Sequence, residues 1–183
     1  MESVIRYTDR LWKALVRPPR PRRSPPLASV RGRLAPWLAT LTRDGDHQYA
    51  VAVAANSGLT LVFEVSSVEG FKPAMLAALC AVFDDMDLPL IHLPLEGADI
   101  ESAAFVRLRD PGASSDLADV RSICELDFSF FPNNDPRRVQ LKLNDYPRQN
   151  QYPFEPREAA PLLFGARSVW TCGERIAESG SQR

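Results

Sequence analysis

The chain has 183 residues, of which 45% are hydrophobic, enough for one domain to bury most of its surface. Its net charge of −1 hides a division: residues 1–43 carry ten Lys/Arg against Glu2 and Asp9, a surplus of eight, leaving −9 on the remainder. Arg6, Asp9, Arg10 and Lys13 interrupt Val4 to Val16, which excludes a secretory signal or spanning helix there, and Cys80, Cys124 and Cys172, 44 and 48 residues apart, suit neither a disulfide framework nor a zinc knuckle. A soluble cytoplasmic protein is expected, without membrane association and with its thiols reduced and buried. Nineteen arginines against three lysines, with abundant alanine, read as the codon usage of a GC-rich bacterium.

Residues 4–16 alternate at first and then place Leu11, Trp12 and Leu15 at helical spacing, which predicts a short strand running into a helical turn or two with Thr8 or Asp9 as its cap. Residues 17–36 hold six prolines and six arginines and should form an extended basic loop. QYAVAVAA and LTLVFEV, on either side of Asn56-Ser57-Gly58, read as a hairpin closed through a left-handed glycine. Pairing Val53 with Leu61, Val51 with Phe63 and Tyr49 with Val65 collects the bulky residues on one face and the alanines on the other.

Met75, Leu79, Val82, Phe83 and Met86 then predict a helix over 73–86 lying on the sheet, with Pro73 in its first turn. Asp84, Asp85 and Asp87 oppose the macrodipole at its end, as a solvated terminus or one with a cationic neighbour. Strands are expected at 104–109, 122–131 and 138–144. The last two alternate polar and apolar residues and would form a hairpin that sets Glu125 and Asp127 beside Arg138 and Lys142. Residues 145–165, with four prolines, suggest a coil containing one helical turn; a final strand is expected at 166–172, and a frayed tail at 173–183.

IRYTDRLWKAL, PWLATLTRDGDHQYAVAVAANSGLTLVFEV and RRVQLKLNDY together resemble an uncharacterised family of small bacterial α+β domains, across roughly residues 4–146. The family's features would fall on Thr8, Trp37, Arg138, Asn144 and Asp145. The chain departs from that pattern in its inserted Pro/Arg stretch and in lacking a glycine and serine before Asn-Asp. The resemblance implies a fold and no activity.

The expected architecture is α+β: one domain over 1–172, with a curved, mostly antiparallel sheet of five to six strands, one main amphipathic helix packed on it, and Pro-rich loops. His47 and His92 are isolated, no glycine-rich phosphate loop or nucleophile elbow occurs, and Glu125 with Asp127 reads better as an ion-pair ladder than as an acid/base pair. No cofactor, metal or catalytic residue is therefore expected. Two surfaces suit binding: the basic arm with Arg17, Arg20, Arg22, Arg23, Arg31 and Arg33, and the Pro-framed aromatics Tyr146 and Tyr152. The expected function is a non-catalytic interaction module for a protein partner. Nucleic-acid binding through residues 17–33 is the alternative, and an enzyme or enzyme subunit assembled from distant residues the second.

Overall fold

A computed structural model describes residues 3–15, 32–131, 135–147 and 155–165. Arg17, Arg20, Arg22, Arg23, Arg31 and Tyr152, with the strand expected at 166–172 and the tail after it, lie outside the described residues. The fold is α+β, and among the described residues the strands are β1 (Val4–Tyr7), β2 (Trp37–Asp44), β3 (His47–Ala54), β4 (Thr60–Glu64) and β5 (Ala104–Arg107). Among the described residues the α-helices are α1 (Asp9–Ala14), α2 (Val68–Asp85), α3 (Leu93–Ser102), α4 (Pro111–Phe130), α5 (Pro136–Asn144) and α6 (Pro156–Leu163).

The sheet runs β4-β3-β2-β1-β5 and is mixed. β2, β3 and β4 form an antiparallel meander, whereas β1 lies parallel to both β2 and β5. The expected mostly antiparallel sheet is corrected accordingly, and so is the single main helix. Two of the expected strands are helices: 122–130 lies in α4, with Phe131 as its C-cap, and 138–144 lies in α5. Residues 156–163 form a two-turn helix where one turn was expected.

The β3–β4 hairpin exists with its left-handed glycine, Gly58 at φ 68°, but its register is one residue from that expected. Val53 pairs with Thr60, Val51 with Val62 and Tyr49 with Glu64, because the connection spans four residues: Ala54 N–H donates to Leu59 O at 2.8 Å, and Gly58 N–H to Ala54 O at 2.8 Å. A slip of one moves every β4 side chain to the other face. The alanines of β3 therefore share a face with Leu61 and Phe63, and Tyr49, Val51 and Val53 share the other with Val62.

Both faces are covered, giving three layers. On one face Ala50, Ala52 and Ala54 leave room for α2, whose Phe71, Met75, Leu79, Val82 and Phe83 are buried over Trp37, Leu41 and Phe63. Ser67 caps α2 through a 3.1 Å bond from Gly70 N–H, so the helix begins five residues before Pro73. It ends where Asp87 takes φ 51°, a left-handed position usually given to glycine, and Leu88 N–H reaches back to Phe83 O at 2.9 Å. Arg137 of α5 supplies the cation, bonding Asp85 through Nε at 2.9 Å and lying 3.5 Å from Asp84.

On the opposite face Leu117, Val120, Cys124 and Phe128 of α4 recur at three- and four-residue steps and pack on Leu38, Val51 and Val53, with Phe128 stacked on Tyr49 at 4.7 Å. α5 joins this layer through Val139 and Leu143 and also turns two amides onto the outer edge of β4. Asn144 Oδ1 accepts from Thr60 N–H at 2.8 Å, Asn144 Nδ2 donates to Thr60 O at 2.9 Å, and Gln140 Oε1 accepts from Val62 N–H at 2.9 Å. An edge strand with unpaired backbone groups invites another strand; here side chains occupy that position.

Candidate functional site

α4 and α5 lie side by side on the sheet, joined through residues 132–134, and their outer surfaces diverge to leave a groove of about 280 Å³. α4 contributes Ile123, Leu126, Asp127 and Phe130; α5 contributes Val139, Lys142 and Leu143, and Tyr146 follows two residues after it. The amphipathic pattern of α4 explains the groove. Its Leu117/Val120/Cys124/Phe128 face is spent on the sheet, so Leu126 and Phe130 project outward.

Leu126, Phe130, Phe131 and Tyr146 are 57%, 75%, 45% and 50% exposed. Such large apolar side chains gathered at one place are the unusual feature of this surface. Cations rim it: Lys142 Nζ lies 4.5 Å and the Arg138 guanidinium 5.2 Å from the Phe131 ring centroid, and Lys142 also bonds Asp127.

Tyr146 stands at the groove mouth, and Arg33 is the one member of the basic arm within the described residues. Arg33 N–H donates to Glu96 Oε1 at 2.6 Å, and its guanidinium donates to Leu163 O. Lys142 meets Asp127 as expected, though between helices. Arg138 turns to Phe131, and Glu125 instead pairs with Arg10 at 3.2 Å and Arg121 at 3.4 Å. Asp145 bonds Arg157 at 2.8 Å, while the His92 ring stacks on Phe164 at 5.0 Å, on the α2 side of the sheet. Glu125, Asp127, His92 and Asp145 thus engage separate partners and do not share a cleft.

A second cluster escaped sequence reasoning. Glu96 and Asp99 on α3 are 1% and 5% exposed, and Leu34 N–H also donates to Glu96, at 3.3 Å. Burial pushes the Glu96 carboxyl above the usual range, and the two backbone donors oppose that shift. Asp99 accepts the Ser3 hydroxyl, so α3 holds the chain at the entrances of both β1 and β2. A Cβ at Gly32 would overlap Glu96 Oε2 and lie 3.1 Å from Asp99 Cβ, so a side chain there would displace the Glu96 carboxylate. The three-residue spacing of Glu96 and Asp99 was visible in the sequence, but nothing marked them as buried. Among the described residues no group of three or more His, Cys, Asp or Glu could hold a metal ion, and no helix is long and apolar enough to cross a membrane.

At the start of β3, His47 bonds Glu64 at 2.9 Å, and that hydrogen bond holds its imidazole above the ordinary value. Of the two described thiols Cys124 is buried, as expected, but Cys80 is exposed. Burial first, then Asp127 and Glu125, push the Cys124 thiol up to about 12, so it stays protonated at neutral and mildly alkaline pH. Iodoacetamide at pH 8 should label Cys80 within minutes and spare Cys124 until denaturant is added, as read by peptide mass mapping. Native-state labelling of Cys124 at a comparable rate would contradict the packing of α4.

The fold and this surface define a three-layer α+β domain with an apolar helical face. No protein-family model and no curated protein matches the sequence.

Proposed function

We propose that this chain is a non-catalytic protein-interaction module whose α4–α5 groove receives apolar side chains of a protein surface that also presents a carboxylate to Arg138 and Lys142. The observation that carries this reading is the cluster of Leu126, Phe130, Phe131 and Tyr146, left in water around a formed groove. Covering apolar area gains about 25 cal/mol per Å², and a cationic rim favours an acidic neighbour at the same place. Aromatic anchors in a concave setting are the commonest source of binding energy at protein interfaces.

A peptide-display selection on the immobilised full chain tests it. Enriched peptides should carry an aromatic or aliphatic anchor next to Asp or Glu, and Phe130→Asp should reduce their binding at least tenfold. Peptides without that chemistry, or binding indifferent to Phe130→Asp, would remove the groove from consideration.

A further inference from the structure

We infer that the surface filling the α4–α5 groove is a second copy of this chain, placed by a two-fold axis that sets the two α4 helices antiparallel. The inference rests on the interaction-module reading above and names its partner.

On α4, at about 100° per residue, Asp119, Ile123, Leu126 and Phe130 fall within an arc of about 60°. Asp119 and Phe130 at its ends are exposed and Ile123 is half-buried. The stripe is therefore acidic toward the N-terminus and apolar toward the C-terminus, and α5 sets Arg138 beside Phe131 at the apolar end. Asp119 has no ion pair among the described residues, and Arg138 has an aromatic ring but no carboxylate.

An isologous interface needs one patch that complements itself after a half-turn. An axis crossing α4 midway between Ile123 and Leu126 sets Ile123 of each copy against Leu126 of the other. Residue 119 then lies level with residue 130 of the partner subunit. The unpaired acid of one copy thus arrives where the unpaired cation of the other flanks Phe131, with apolar side chains between. A foreign partner would need only the complement of this patch, whereas here one surface carries both halves of the charge pair around an apolar centre.

Sedimentation equilibrium of the full chain from low micromolar to sub-millimolar concentration tests the inference. Wild type should show a reversible monomer–dimer equilibrium. Leu126→Asp, at a position already more than half exposed, should be monomeric throughout with an unchanged circular dichroism spectrum. Asp119→Arg and Arg138→Asp should each weaken dimerisation by roughly tenfold, about 1.4 kcal/mol. The combined variant, with the charges exchanged, should recover it to within about threefold.

A wild type that stays monomeric while display-selected peptides still bind the groove overturns the second-copy inference and leaves the module reading intact. If peptides also fail, both fall. A dimer indifferent to Leu126→Asp, or one that the charge exchange does not restore, uses another surface and likewise overturns the inference.

Discussion

Replacing Asn144 with leucine should lower the stability of the protein by about 2–5 kcal/mol and its unfolding midpoint by roughly 5–15 °C. The residue is 1% exposed, and its amide does three things: it accepts from Thr60 N–H, donates to Thr60 O, and donates to Gln140 O at 2.9 Å. Leucine has nearly the same shape but returns none of these bonds. It takes from Thr60 N–H and Thr60 O the bonds that the Asn144 amide gives them, and losing a buried hydrogen bond costs about 1–3 kcal/mol each. Gln140→Leu should cost less, since its bond to Val62 N–H at 2.9 Å is accompanied only by a 3.4 Å contact to Ala78 O. Urea unfolding followed by far-ultraviolet circular dichroism measures both. A change below about 0.5 kcal/mol for Asn144→Leu would mean that the edge of β4 does not depend on this amide.

Phe128→Ala and Phe130→Ala should differ by several kcal/mol although they lie two residues apart. Phe128 is 1% exposed and stacked on Tyr49, so truncation opens a cavity between α4 and the sheet and should cost about 3–5 kcal/mol. Phe130 is 75% exposed, and its truncation should change stability by no more than about 0.5 kcal/mol while weakening interaction through the groove. On a strand the two rings would share a face and respond alike. Parallel denaturation curves thus separate the helical assignment of this segment from the extended one, and equal losses would reject the helix.

That contrast also shows where the sequence misleads. Between 122 and 131, Cys124, Leu126, Phe128 and Phe130 satisfy a two-residue period, while Leu117, Val120, Cys124 and Phe128 satisfy the helical one. The helical period emerges only when the window extends back to Asp110-Pro111, where Asp110 caps α4 by accepting from Gly112 N–H at 2.9 Å. The same acid-Pro opening recurs at Asp135-Pro136, where Asp135 accepts from Arg137 N–H at 2.9 Å, and at Glu155-Pro156. In α5 the buried positions include Gln140 and Asn144, which no hydrophobic pattern selects.

Other elements were legible because their signals are local. The β1–α1 entry, the two strands around Gly58 and the core face of α2 follow from spacing alone. The β2–β3 hairpin is not among the expected elements, although its turn is local: Gly45 of Asp44-Gly45-Asp46 adopts φ 56° in a two-residue connection. The β3–β4 register was not legible, since it depends on whether Ala55 belongs to the strand or the loop. Of the proposed interface, Arg138, Lys142 and Tyr146 stand out in the sequence by charge and aromaticity. Leu126 and Phe130 read as inward-facing because the helix that turns them outward was not recognised.

The amides of α5 meet β4 through a coincidence of two repeats. Four residues of helix advance about 6.0 Å and two residues of strand about 6.6–6.8 Å, so side chains at 140 and 144 line up with successive outward-facing backbone groups at Val62 and Thr60. Such a vernier depends on the length of α5. Inserting or deleting one residue between 136 and 140 would swing both amides about 100° away and withdraw this side-chain cover from the position where another strand could pair.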